Sequence, residues 1–120
     1  QKELKLGNIN SKRDWGHARD YVYAMWLILQ QKRPDDFVIA TGKQHSVKDF
    51  AKLAFSIAGL DYKKYIKIDK SLMRPAEVEN LLGNYKKAKK VLKWKPKISF
   101  NKLVREMVES DLELVKNNKY

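Results

Sequence analysis

Lys12-Arg13-Asp14-Trp15-Gly16-His17-Ala18-Arg19-Asp20-Tyr21-Val22 is the stretch on which the fold turns. Upstream of it, Leu4, Leu6 and Ile9 alternate with Lys5 and Asn8, the period of a short strand that ends near Gly7. Downstream, Tyr21, Met25 (or Ala24), Ile28 and Leu29 recur at helical spacing, and Pro34 stops a helix that runs from about His17 to Gln31. Arg13 therefore falls between a strand and a helix. Trp15 can anchor the turn in apolar surroundings, and Gly16 gives the backbone freedom at the helix entrance. Asp14 or Asp20 could hold a guanidinium in place, and an arginine in such a setting is as readily half of an ordinary ion pair as a ligand group.

A second arginine sits in a comparable setting at Arg74-Pro75-Ala76-Glu77. A residue before proline is biased to an extended backbone, so the Arg74 side chain has few directions to take. An ionised carboxylate is acceptor-only, which suits Glu77 to the hydroxyls of a sugar diol. The plain alternatives are a surface turn for Arg-Pro and a solvated face for Glu77. Two arginines held by constrained backbone can nevertheless aim two fixed cations at one polyanion.

The remaining pattern is α/β and helix-rich. Phe37-Val38-Ile39-Ala40 is a continuous apolar run closed by Thr41-Gly42, as expected of a buried parallel strand, and such a strand needs neighbours that a chain this short barely supplies. Ser46 with Asp49 is a short capping box opening a helix whose apolar face is Val47, Phe50, Ala51, Ala54, Phe55 and Ala58, with Gly59 ending it. Tyr65-Ile66-Lys67-Ile68 alternates like a short strand. Asn84 caps a helix to about Leu92, Trp94-Lys95-Pro96 breaks it, and Ser99 caps a last helix to about Val115. In that helix Leu103, Val104, Met107, Val108, Leu112 and Val115 form a stripe, and residues 117–120 are expected to fray.

Composition excludes several functions. The 120 residues suffice for one domain with a modest core, and a hydrophobic fraction of 43% argues against disorder. Without cysteine there is no disulfide framework or thiolate metal site, and His17 and His45 alone make no histidine-rich one. The apolar run Ala24-Met25-Trp26-Leu27-Ile28-Leu29 is too short to span a bilayer, so a cytoplasmic setting is expected. Net charge is +12, but only five of the 26 basic residues are arginine, and lysine is spread along the chain with its densest run at Lys86-Lys87-Ala88-Lys89-Lys90. Nucleic-acid readers lean on arginine forks, so this pattern reads as a solvated surface. A small basic nucleic-acid-binding domain remains the alternative from another class, although no recognisable module supports it.

The long motif from Leu6-Gly7-Asn8-Ile9-Asn10-Ser11 through Arg13-Asp14-Trp15-Gly16-His17-Ala18 resembles GDP-mannose dehydratases of the extended short-chain dehydrogenase/reductases. The resemblance continues through Phe37-Val38-Ile39-Ala40-Thr41-Gly42, Arg74-Pro75-Ala76-Glu77-Val78, Trp94-Lys95-Pro96 and Leu103-Val104-Arg105-Glu106-Met107-Val108, in order along the whole chain. It implies that residues 1–120 are the C-terminal, substrate-binding part of such an enzyme, carrying one late strand of the NAD(P)-binding Rossmann-like domain but lacking its N-terminal half. It further implies that Arg13 and Arg74 hold the diphosphate of GDP-mannose, Glu77 a ribose hydroxyl, and that the backbone at Leu6, Gly7 and Asn8 lies near the guanine. The whole enzyme would use NADP to oxidise C4 of the hexose, eliminate water across C5–C6 and return the hydride, as a homo-oligomer. The reductase of the following step shares much of this region and is the closest enzymatic alternative.

The departures from the family pattern assign the chemistry elsewhere. Glycines 7, 16, 42, 59 and 83 form no dinucleotide fingerprint. The family's catalytic Thr (or Ser), Glu and Tyr-x-x-x-Lys lie upstream of the matched region, so no catalytic residue is expected here. Tyr85-Lys86-Lys87-Ala88-Lys89 matches Tyr-x-x-x-Lys only by spacing, in a lysine-rich helix after the substrate arginines. His17 and His45 lack catalytic or metal partners and are expected at helix starts.

Overall fold

A computed structural model describes residues 1–118. The elements are β1 (Leu4–Leu6), β2 (Lys12–Arg13), α1 (Ala18–Leu29), β3 (His45–Ser46), α2 (Val47–Ile57), α3 (Tyr62–Tyr65), β4 (Ile66–Ile68), a 3-10 turn (Lys70–Leu72), α4 (Lys86–Val91) and α5 (Phe100–Lys116). The strands form two small two-stranded sheets. β1 and β4 run parallel, with Leu4 opposite Ile66 and Leu6 opposite Ile68. β2 and β3 run antiparallel, with Lys12 opposite Ser46 and Arg13 opposite His45. Helices dominate and the sheets are fragments, so the chain is a helix-rich piece of an α/β architecture.

Helix ends follow the local chemistry. The ring nitrogen Nδ1 of His17 accepts from the Arg19 N–H and so caps α1. In α2 the reciprocal capping box is complete: Ser46 Oγ accepts from Asp49 N–H, and Asp49 accepts from Ser46 N–H at 2.9 Å. The helix stops where Gly59 takes φ +74°, a left-handed conformation that costs glycine nothing. Ser99 Oγ accepts from the Lys102 N–H at the start of α5.

The core has two parts. Ala24, Ala88, Leu92 and Trp94 are buried together, with Tyr21, Leu27, Ile28, Phe37, Ile39 and Tyr85 packed on them. Trp15 lies 5.3 Å from Phe50 and 5.9 Å from Phe100, ring centroid to ring centroid, which joins the turn before α1 to α2 and α5.

Several expectations are corrected. Ala24, not Met25, is the inward residue of α1, and Leu29 is exposed; Val22, Met25, Trp26 and Leu29 form an outward apolar face. On α5 the stripe is buried only at Leu103 and Val104, because nothing among the described residues covers Met107, Leu112 and Val115. Residues 37–40 form no strand: none of the four strands reaches them, and a strand exists only through a partner's hydrogen bonds. Phe37 and Ile39 still pack inward while Val38 is exposed, so one face of this run is covered rather than both. α4 begins at Lys86 with Tyr85 in the cap position, and Asn84 Oδ1 accepts the Lys86 N–H from one residue further back. The Asn117 and Asn118 N–H groups donate to the carbonyls of Glu113 and Val115 at the end of α5, and residues 119–120 of the stretch expected to fray lie outside the described part.

The α2 capping box gives a pH test. The Ser46 backbone N–H, above all, holds the Asp49 carboxylate below the ordinary carboxylate value. A carboxylate depressed in the folded state stabilises above its unfolded value, about 4, and loses that contribution as pH falls through the folded value. Asp49→Ala should therefore cost about 0.3–1 kcal/mol at neutral pH. Urea unfolding at pH 7 and pH 3 should show the difference from the native chain shrinking at the lower pH; a constant difference would contradict it.

Candidate functional site

Arg13 is placed by β2 and by its own side-chain bonds. Nη1 donates to the carbonyl oxygens of Lys12 (2.8 Å) and Val78 (2.6 Å), and Nη2 donates to Glu77 Oε1 at 2.7 Å. Arg13 and Glu77, 64 residues apart in sequence, are each 24% exposed, so the pair is half sheltered but reachable. The carboxylate partner of Arg13 is thus Glu77, and neither Asp14 nor Asp20 holds a guanidinium. Three donor bonds leave Nε–H and one Nη2 hydrogen of Arg13 uncommitted among the described residues.

Both neighbouring aspartates serve backbone instead. Asp14 accepts from the N–H groups of Thr41 (3.0 Å), Gly42 (2.9 Å) and Gly83 (3.3 Å), and from the Thr41 hydroxyl. Asp20, buried in the first turn of α1, accepts from Lys97 (3.0 Å) and Ile98 (2.9 Å), while its carbonyl takes the Trp94 indole N–H at 3.0 Å. Burial first, then the nearby charges of Asp14 and Asp20, push the Tyr21 phenol above its ordinary value, so it stays neutral. The Tyr21 ring lies over Gly16, where a Cβ would fall 2.2 Å from its hydroxyl; Gly16 provides space for Tyr21 rather than unusual backbone angles.

The segment carrying Arg74 is pressed against the end of β1. The Leu6 carbonyl accepts from the Asp69 N–H at 2.8 Å, and a Cβ on Gly7 would lie 2.6 Å from the Leu72 carbonyl oxygen. The Ser71 hydroxyl and N–H donate to Asp69, which holds that carboxylate below its ordinary value and shapes the 3-10 turn. Arg74 follows this turn, is exposed, and has no side-chain partner among the described residues. Asn8 Oδ1 accepts from the Asn10 N–H at 3.0 Å. Asn8, Asn10, Ser11, Lys12, Glu79 and Asn80 line a hollow of about 330 Å³, and the buried Ser11 hydroxyl there has no partner among the described residues.

Other residues singled out by sequence fall elsewhere. His17 caps α1 and its Nε2 lies 3.2 Å from Glu106 Oε1. His45 stacks on Phe100 with centroids 3.8 Å apart, directly before the Ser46 cap. Tyr85 packs edge-on against Trp94 at 5.8 Å, a core position, while Lys89 is exposed. A cleft of about 430 Å³ between Trp15, Lys43, Lys97 and Phe100 is lined by neither Arg13 nor Arg74. Among the described residues no cluster of His, Cys, Asp and Glu could hold a metal, and no helix is long and apolar enough to cross a membrane. The backbone roles of Asp14 and Asp20 were not foreseen; acidic residues flanking Arg13 at the mouth of a helix were the available signal.

The chain as a whole is similar to known proteins. The family described as GDP-mannose 4,6 dehydratase matches residues 1–107. GDP-mannose 4,6 dehydratase 1 of Arabidopsis thaliana is 55% identical over 119 residues, covering 99% of this chain and 33% of the relative. A UDP-glucose 4-epimerase from Thermotoga maritima solved with UDP-glucose superposes with TM-score 0.81 at 27% identity, over 94% of this chain and 36% of that one. A dTDP-glucose 4,6-dehydratase from Bacillus anthracis, solved with NAD, gives TM-score 0.82 at 21% identity, over 93% of this chain and 35% of that one, which speaks for the fold alone. The chain spans about a third of the length of the relatives it matches. Matched over nearly its whole length, and folded like part of an extended short-chain dehydrogenase, the chain belongs to the GDP-mannose 4,6-dehydratase family.

Proposed function

We propose that this chain is the C-terminal, nucleotide-sugar-holding part of a GDP-mannose 4,6-dehydratase. In this reading Arg13 and Arg74 grip the diphosphate of GDP-mannose, Glu77 accepts from a ribose hydroxyl, and the backbone at Leu6, Gly7 and Asn8 borders the guanine. The observation that carries it is the Arg13–Glu77 bond, which brings the two sequence motifs to one place. Arg13 is already fixed by the Val78 carbonyl and Glu77, so a diphosphate would meet a guanidinium whose orientation is set beforehand. Arg74, exposed, would contribute the second fork, and two guanidiniums suit a diphosphate better than two ammoniums.

The dehydratase reaction needs a nicotinamide cofactor, taken here to be NADP, and this chain does not fit one. Gly42 and Gly59, its glycines at positive φ, stand at separate turns and make no phosphate cradle. The cofactor and the acid–base groups are therefore assigned to the rest of the polypeptide. The contacts proposed here lie at the nucleotide end, where binding energy orients the hexose for chemistry at its far end.

Calorimetric titration with GDP-mannose tests the clamp. Arg74→Ala should weaken binding roughly 10- to 100-fold, the scale of a lost charge-assisted hydrogen bond, and leave the melting temperature unchanged. Arg13→Ala should weaken binding similarly and also lower the melting temperature, because it releases Val78 and Glu77. Normal affinity in both variants would refute the assignment.

Supplied with GDP-mannose and NADP, the purified chain should form no 4-keto-6-deoxy product. Detection of that product by mass spectrometry would move the chemistry back into this segment.

A further inference from the structure

The geometry points to Asp14 as the positioning residue of the clamp, an inference that rests on the nucleotide-sugar reading above. Lys12, Arg13 and Asp14 between them hold the segment from Glu77 to Gly83 at several points. The Lys12 N–H donates to the Glu79 carbonyl at 2.7 Å, and its carbonyl accepts from the Leu81 N–H at 3.1 Å. The Arg13 guanidinium takes the Glu77 carboxylate and the Val78 carbonyl. Asp14 closes the row by accepting from the Gly83 N–H.

Lys12 and Arg13 also pair with Ser46 and His45 of β3, and Asp14 is the one of the three whose side chain reaches the loop after Ala40. Its carboxylate also collects Thr41 N–H, Thr41 Oγ–H and Gly42 N–H, so the segment bearing Glu77 is tied to the loop after Ala40. That loop is rooted in the core, since Ala40 is 5% exposed. Gly83 is pressed so close that a Cβ built on it would fall 2.1 Å from the Ala40 Cβ. The bridge between Lys12 and Asn80 and the Arg13 bonds hold residues 77–81, and the Asp14 carboxylate is the side chain that sets where the far end of the segment, at Gly83, sits against the loop after Ala40. Arg13 then meets Glu77 at a fixed place, and Arg74 enters the site from a segment whose far end is anchored. Asp14 never touches the ligand; it acts through backbone amides.

The chemistry favours a carboxylate here. Four donors converge on two oxygens, which an ionised acid accepts in full. An asparagine would turn its NH2 toward at least one of these N–H groups, setting donor against donor.

The test uses GDP as the probe, with Asp14→Asn, Asp14→Ala and, as a control for plain loss of stability, Ser99→Ala at the distant cap of α5. The expected result is that both Asp14 variants bind GDP at least about 10-fold more weakly, the loss of roughly one charge-assisted bond's worth of alignment. The Leu81 and Gly83 amides should at the same time exchange faster with deuterium. Ser99→Ala should lower the melting temperature yet keep the native affinity for GDP. If Asp14→Ala does not fold, Asp14→Asn carries the test. Unchanged exchange at Leu81 and Gly83, or faster exchange with native GDP affinity, would overturn the inference. If the native chain binds no GDP, the nucleotide-sugar reading falls, and Asp14 as the anchor of residues 77–83 is judged by the exchange result alone.

Discussion

Backbone amides of long irregular segments must find acceptors, and this chain has almost no sheet to provide them. Its strands are two or three residues long, and apart from the single bridge between Lys12 and Asn80, residues 40–42, 77–83 and 94–98 have no ladder to satisfy them. Two carboxylates six positions apart supply the acceptors. Asp14 gathers Thr41, Gly42 and Gly83, and Asp20 gathers Lys97 and Ile98 while its carbonyl holds Trp94. Hydrogen bonds to a charged acceptor contribute about 1.5–3 kcal/mol each, and losing one strands a buried donor as well. The turn before α1 is therefore both the knot that organises three distant segments and the mount of Arg13. Structure and proposed function meet in this stretch at Arg13.

Much of this was legible because the signals were local. Ser46 with Asp49, Gly59, Ser99 and Pro34 each mark a helix boundary through a rule that needs no tertiary knowledge, and the ends fall within a residue or two of expectation. Leu4–Leu6 and Ile66–Ile68 were also readable from alternation. What could not be read was partnership. Alternation does not say that β1 lies beside β4, and nothing local marks Lys12–Arg13 and His45–Ser46 as a pair. Glu77 was picked out as a ligand group, but its bond to Arg13 spans 64 residues and depends on the whole fold.

The errors have a common cause as well. Met25, Leu29, Met107, Leu112 and Val115 are apolar at helical spacing yet exposed, and the run at 37–40 finds no strand partner. Periodicity reports which face of an element is apolar, not whether anything stands opposite. A chain about a third as long as its relatives leaves several such faces without a neighbour, and its buried core is correspondingly small. The Asp14 and Asp20 knots matter more in such a chain, because directional bonds to charged acceptors hold segments that apolar burial does not.

The central claim is that Arg13 and Arg74 act together on one diphosphate. The direct measurement is an NMR titration of the 15N-labelled chain with GDP, following the side-chain Nε–H signals of both arginines. The account predicts that the two signals shift together with one saturation curve, that inorganic pyrophosphate competes, and that Arg33 and Arg105 stay still. Shifts confined to the lysine-rich helix α4, or an Arg74 signal that ignores GDP while Arg13 responds, would contradict it.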